Sequence, residues 1–212
     1  MGTVLLSTTY FGPVQWYQKL HRAENVQIEQ WESFQKQTYR NRCLIATTQG
    51  IQALTVPTER GGSPLIKDTR ISDHGNWRHL PWNALQSAYG ESPFFEYYQD
   101  DIRPFFEQRW DYLLDFNEAI RAKICELIDI QPKVDYSKEF ISSCVPAVEP
   151  KQSTVNYIKD YRMAIRPKNP EADPDFEPKP YYQVYQQKHG FLPNLSILDL
   201  LFNMGPESIF YL

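Results

Sequence analysis

The stretch "VLLSTTYFGPVQWYQKLHRAENVQIEQW" (residues 4–31) decides the fold class. Val4 to Leu6 is an uninterrupted apolar run, as a strand buried on both faces requires. Pro13 suits the opening of a helix, because the first turn needs no N–H from that position, so "GPVQWYQKLHR" reads as a short helix. "NVQIEQW" then alternates apolar and polar residues like a second strand. Strand, helix and strand in this order favour adjacent parallel strands joined by a helical crossover. Downstream, "RCLIATTQGIQALTVP" (42–57) reads as two β-rich runs around Gln49-Gly50, a hairpin, and "LIKDTRIS" (65–72) is expected to add a further strand. The fold class is therefore α/β, a mixed sheet of five or six strands packed by helices.

From Asn76 to Ile130 the apolar period becomes helical. Trp82, Leu85 and Tyr89 form one stripe, and Phe95, Tyr98, Ile102 and Phe105 or Phe106 form the next, which Pro104 should kink or divide. Leu113, Phe116, Ile120, Ile124 and Leu127 form a third, with Asp111 as its expected cap. "RPKNPEADPDFEPKP" (166–180) carries five prolines, so neither helix nor central strand can run through it, and an extended, exposed or mobile arm is expected. In "NLSILDLLFNMGPESIFYL" (194–212), Ser196 and Asp199 resemble a capping box, Gly205 stands at the C-terminal cap and Pro206 stops the helix. The residues between are apolar nearly all round, so this helix must be buried and the C-terminus belongs to the same core. A single domain over residues 1–212 follows.

The chain has 212 residues, of which 42% are apolar and 15% aromatic, enough to fill a sizeable core. A formal net charge of -4 excludes a general nucleic-acid surface, which needs a basic excess over a whole face. Three cysteines with no CxxC pair indicate neither a zinc ribbon nor a disulfide framework, so a reduced, cytoplasmic setting is expected. With no basic leader and no run of about 18 apolar residues, membrane insertion is not expected.

The residues that suggest chemistry begin at "QKQTYRNRC" (35–43), where Lys36, Arg40 and Arg42 precede an apolar run. If residues 39–45 are extended, Arg40 and Arg42 share one face about 7 Å apart while Asn41 and Cys43 take the other. Paired guanidiniums hold phosphate, pyrophosphate or carboxylate through planar hydrogen bonds, which a lysine cannot match. The competing reading is internal: Glu29 and Glu32 on the neighbouring strand neutralise both arginines. Thr8, Thr9, Tyr10 and Gly12 follow the first strand, where backbone donors at strand ends and helix starts meet anions. None of His21, His74, His79 and His189 has metal-ligand spacing, so no metal is expected. Asp73, His74 and His79 lie near a helix start, where an imidazole oriented by a carboxylate could act as general base. Cys144 has no neighbour that would activate it.

Taken in order, "TYFGPVQWYQKL", "IEQWESFQKQTYRNRC", "GNWR", "SAYGESPFFEYY" and "NLSILDLLFNMGPE" resemble the WbqC-like protein family of bacteria, over most of the chain and least from about 130 to 180. The resemblance implies a role in O-antigen or other surface-polysaccharide biosynthesis, with transfer of an acyl or aminoacyl group to an amino sugar. The family's recurring positions match Tyr10, Pro13, Arg40, Asn41, Arg42, Trp77, Tyr89, Pro93, Ser196 and Asp199. Four residues after Trp77, where family members often have histidine, this chain has Pro81, so it either lacks that base or uses His79.

These readings converge on an anionic sugar derivative, a nucleotide-sugar above all. Arg40 and Arg42 clamp phosphates, Asn41 or Tyr10 orients the ligand, and Trp16 and Trp77 are expected to be exposed and to offer stacking faces. If the protein is an enzyme it is a transferase with His79 or His74 as base. The alternatives are a non-catalytic binding or assembly protein and, third, a nucleotidylyl transferase, against which the missing histidine pair counts. Cofactors, oligomeric state and strand order are left open.

Overall fold

The computed structural model describes residues 2–59, 61, 65–142 and 158–212. Among these are six strands and seven α-helices: β1 (Thr3–Leu6), α1 (Val14–Arg22), β2 (Asn25–Ile28), β3 (Arg42–Thr47), β4 (Gly50–Thr55), α2 (His79–Tyr89), α3 (Phe95–Ile102), α4 (Pro104–Glu107), α5 (Leu113–Leu127), β5 (Val134–Tyr136), β6 (Ile158–Asp160), α6 (Gln186–His189) and α7 (Ile197–Met204). Two 3-10 segments, Ile66–Asp68 and Gly205–Tyr211, complete the regular structure.

The strand–helix–strand start forms as its sequence requires. β1 and β2 pair in parallel with Val4 opposite Val26 and Leu6 opposite Ile28, and α1 makes the crossover. β5 adds in parallel to β2, and β6 adds in parallel to the free side of β1. The order is β5-β2-β1-β6, so β1 is central, and its apolar run is closed off from solvent on both faces. β3 and β4 form a separate antiparallel pair, with Arg42 opposite Thr55 and Thr47 opposite Gly50. Thr48 and Gln49 make the turn, and Gly50 follows at φ +106°, a conformation that favours glycine. The six strands thus divide into four parallel and two antiparallel, packed by helices around one continuous core.

Pro104 separates α3 from α4, and the predicted stripes of all three helices are buried apart from Leu127, which is half-buried. α7 is buried from Ile197 through Asn203. Three expectations need correction. "LIKDTRIS" adds no strand, because the N–H groups of Ile66 and Lys67 donate to the carbonyls of Glu32 and Gln30, and Thr69 Oγ1 donates back to Leu65, closing a 3-10 turn. Asp111 does not cap α5, since Tyr112 holds that position, Leu113 N–H donates to the Thr69 carbonyl, and the Asp111 carboxylate lies 3.6 Å from Arg109. Asp199 does not complete a capping box. Ser196 caps α7 through the Leu198 N–H, but its own N–H is taken by the Leu44 carbonyl, which frees Asp199 to turn into the core.

The proline arm (166–180) contains neither helix nor strand and is exposed along most of its length. Two aspartates pin it. The Asp173 carboxylate meets Lys19 Nζ at 2.8 Å and Gln15 Nε2 at 2.8 Å, with both charged groups shut off from water, and Asp175 binds Lys159 and the Tyr161 hydroxyl. Burial lowers the Lys19 pKa, opposed by the Asp173 hydrogen bond.

Candidate ligand site at the carboxyl edge of the sheet

All four strands of the parallel sheet end at the same edge, and the chain changes direction between β1 and β6: one leads to β2 and β5, the other lies on the opposite side. In open parallel sheets this divergence leaves a crevice outside the strand ends, where ligands bind. Here it holds a cavity of about 10 Å³ walled by Ser7, Thr9, Tyr39, Arg40, Tyr161 and Arg162 among others, the room of about one water molecule.

Local structure places each wall. After β1 the chain turns back onto α1, and at Gly12 a side chain would have its Cβ 2.3 Å from Thr9 Oγ1, so only glycine fits. Trp16 on α1 donates its indole N–H to the Ser7 carbonyl at 2.9 Å, which fixes the end of β1. Tyr10 N–H donates to the Tyr39 carbonyl, Asn117 of α5 donates to the Arg40 carbonyl, and Asn41 and Val56 bond each other twice. Residues 38–41 are thereby held in a turn against the β1 extension, with the Arg40 side chain directed at Ser7 and Glu32.

The charges form one buried network. Arg40 grips Glu32 with both Nε (2.8 Å) and Nη2 (2.5 Å) and donates to Ser7 Oγ at 2.8 Å, while Ser7 donates to Glu32. Arg162, just past β6, makes a forked contact with Asp160 and lies 3.7 Å from Glu29. Burial opposes the Arg162 charge, and Asp160, joined by Glu32 and Glu29, outweighs it, leaving the pKa above the ordinary arginine value. Glu29 accepts from Ser137 Oγ at 2.6 Å and from the Trp31 and Ile141 N–H groups. Two guanidiniums therefore face three carboxylates. Burial pushes Tyr39 and Tyr161 up to about 12, so both are neutral phenols, able to donate a hydrogen bond but not to act as bases near neutral pH.

The family comparison fits this framework. The model of the WbqC-like protein family matches residues 8–211. The chain belongs to that family. A relative of this WbqC-like chain, named "Uncharacterized protein Rv1507c" in Mycobacterium tuberculosis, is 29% identical over 200 residues, covering 84% of this chain and 83% of that protein. No solved structure matches the WbqC-like chain.

Several of the family positions brace the scaffold. Pro13 and Ser196 bridge α1 to α7, Ser196 Oγ donates to the Phe11 carbonyl, and Tyr89 donates to Asp199. Asn41 is likewise structural through Val56, and Tyr10 is buried against Phe11 and Phe116 with its hydroxyl unpartnered among the described residues. Arg40 is in the site, but Arg42 is not among its walls. The turn at 38–41 precedes β3, so the two arginines share no strand face, and the buried Arg42 Nε has no hydrogen-bond partner among the described residues. Of the two glutamates expected to neutralise the arginine pair, Glu32 binds Arg40, whereas Glu29 faces Arg162 and not Arg42. Lys36 is exposed on the preceding loop.

Trp16 and Trp77 are not exposed stacking faces. They are 1% and 8% accessible, Trp16 because its indole closes the end of β1 and Trp77 because it packs edge-on to Phe116. Asp73 orients no imidazole. Its carboxylate is taken by Arg78 at 2.6 Å and Arg109 at 2.9 Å, His74 and His79 are exposed, and His79 contacts Asn83 in an open surface groove of about 570 Å³. Pro81 is buried in the first turn of α2. Cys43 and Cys125 are buried free thiols, pushed by burial to about 12 and about 11, and Cys144 lies outside the described residues. Among the described residues no cluster fit to hold a metal occurs, and no helix is long and apolar enough to cross a membrane.

The residue that sequence reasoning missed is Arg162. Its signal, "IKDYR" (158–162), is a three-residue strand followed by a charged turn, too short for a period and adjacent to the proline arm.

Proposed function

We propose that this WbqC-like chain binds an anionic sugar derivative, a nucleotide-sugar in particular, at the carboxyl edge between β1 and β6, in surface-polysaccharide (O-antigen) biosynthesis. One observation carries the reading: two buried guanidiniums from distant parts of the sequence, Arg40 and Arg162, wall the same crevice at the point where the sheet changes direction. Buried arginine forks are suited to phosphate, and here Glu32 and Asp160 occupy them until a ligand's phosphates take over their hydrogen bonds. Family membership supports the surface-glycan part of the proposal. Because the resting cavity has room for about one water, ligand entry requires its walls to part.

The reading is one of binding. The transfer step implied by the resemblance draws no support from Asp73, His74 and His79, since the carboxylate is tied to arginines and neither imidazole is near the crevice walls. Calorimetric titration with a panel of nucleotide-sugars tests it. The unmodified chain should bind one of them, and Arg162→Lys should bind it about tenfold more weakly or worse, since a charge-assisted hydrogen bond contributes about 1.5–3 kcal/mol and 1.4 kcal/mol is about tenfold. Arg42→Lys should bind as the parent does. A panel that gives no heat, or an Arg162→Lys chain of unchanged affinity, overturns the proposal.

A further inference from the structure

The β3–β4 hairpin is held along β3 and at its turn, while β4 is largely exposed. On the outer edge of β3, the Leu44 carbonyl accepts the Ser196 N–H at 2.8 Å and the Ala46 N–H donates to the Tyr89 hydroxyl at 3.2 Å. The turn is held by Lys188, whose ammonium donates to the Thr48 carbonyl at 2.6 Å. In an antiparallel ladder alternate residues turn both backbone groups toward the partner strand or away from it. Leu44 and Ala46 face away from β4, so Ala53 and Ile51, which stand opposite them, turn their N–H and C=O groups away from β3. Nothing among the described residues takes up those groups. The side chains there are exposed too, Ile51 to 54%.

The sequence of this edge is unusual for one left open. From Cys43 to Thr58 there is no charged residue. The outer strands of the parallel sheet are built differently: β5 and β6 have three residues each and carry Asp135, Lys159 and Asp160. Short, charged edges resist pairing with other chains, whereas a longer uncharged edge invites it. β4 has six residues and neither protection.

We propose that the β4 edge pairs antiparallel with the β4 edge of a second copy of this chain, across a two-fold axis near Ala53. The lack of charge selects this occupant. A two-fold axis sets each edge against itself, so any charge on β4 would meet its like, and an edge without charge meets no repulsion. The product is a four-stranded antiparallel sheet, and three or more strands stabilise a sheet where two do so marginally. Beside the edge, an open depression of about 720 Å³ between the hairpin and α2, lined by Gln52, Asn83, Ser87 and Tyr185 among others, gives the second copy's side chains room.

Sedimentation velocity on the full chain tests this without any ligand, and it stands apart from the nucleotide-sugar reading. The parent chain should sediment at twice its 25.0 kDa at tens of micromolar. Ala53→Lys, which sets two ammonium groups across the axis at an exposed position, should weaken the dimer at least tenfold while leaving the melting temperature of the monomer unchanged. Ala53→Glu should do the same, and an equimolar mixture of the two variants should recover the dimer. A monomeric parent overturns the proposal, as does a dimer that neither variant weakens or variants whose mixture stays monomeric. Ala53→Pro removes only an outward N–H, so it provides a second disruption that leaves the hairpin ladder intact.

Discussion

Glu32 and Asp199 are both carboxylates closed off from water, and they are satisfied in opposite ways. Glu32 sits in a cluster of opposite charges, gripped by the Arg40 fork with Ser7 alongside. Asp199 meets only neutral donors: the hydroxyls of Tyr89 at 2.9 Å and Tyr181 at 2.7 Å, and the Gln183 amide at 2.8 Å. A cation released from one carboxylate can take up another anion, so the first cluster can exchange partners. The second joins α2, α7 and the chain after the proline arm through donors that have no charge to offer a ligand. Burial alone therefore does not single out the candidate site; what separates the first cluster from the second is a buried cation.

The largest effect should come from stranding a charge. Glu32→Ala leaves the buried Arg40 guanidinium without its counterion, and breaking such a pair costs about 3–5 kcal/mol. Urea unfolding should show the loss, and a change below about 1 kcal/mol would mean that Arg40 finds water or another anion readily, erasing the contrast. A smaller loss is expected from Asp199→Asn, about 1–2 kcal/mol, because one acceptor oxygen survives and no charge is stranded. If it matched Glu32→Ala, the neutral cluster would be the more demanding one. The finest effect is one of slope. Burial raises the Asp199 pKa, against the lowering pull of its three hydrogen bonds. A carboxyl whose folded pKa is raised contributes stability that is full below the unfolded value of about 3.9 and is lost as pH rises through the folded value. The unfolding free energy of the parent minus that of Asp199→Asn should therefore increase as pH falls from neutral toward 4, and a difference that shrinks would show a carboxylate kept ionised by its donors.

The sequence made the fold legible where signals are local. The apolar β1 run, Pro13, Pro104 and the all-round apolar α7 each act within a few residues, and each element formed where those signals put it. Local reading failed where a distant group takes the hydrogen bonds. Ser196 N–H goes to Leu44 and not to Asp199, and the N–H groups of 66 and 67 go to the loop after β2, which makes a turn where a strand was expected. β5 and β6 were invisible because three residues carry no period. Of the candidate site, Arg40 and the end of β1 were readable from sequence. Arg162 was not, because it reaches Glu29 and the crevice only through a strand that joins the far side of β1. Trp16 and Trp77 misled for the same reason: an aromatic side chain says nothing of which neighbours will cover it.

The union of α1 with α7 bears on how the chain reaches this structure. Val14 N–H waits for the Leu195 carbonyl, Ile197 N–H for Gly12, and Gln15 for Asn194. The strand–helix–strand unit thus cannot complete its backbone pairing until residues 194–197 have also left the ribosome, about 180 positions later. At ordinary elongation rates of about 5–20 residues per second, that separation leaves the pairing incomplete for an interval on the order of ten seconds or more. Final assembly is accordingly a late, long-range step, and a nascent chain stalled before α7 is the species most in need of a chaperone.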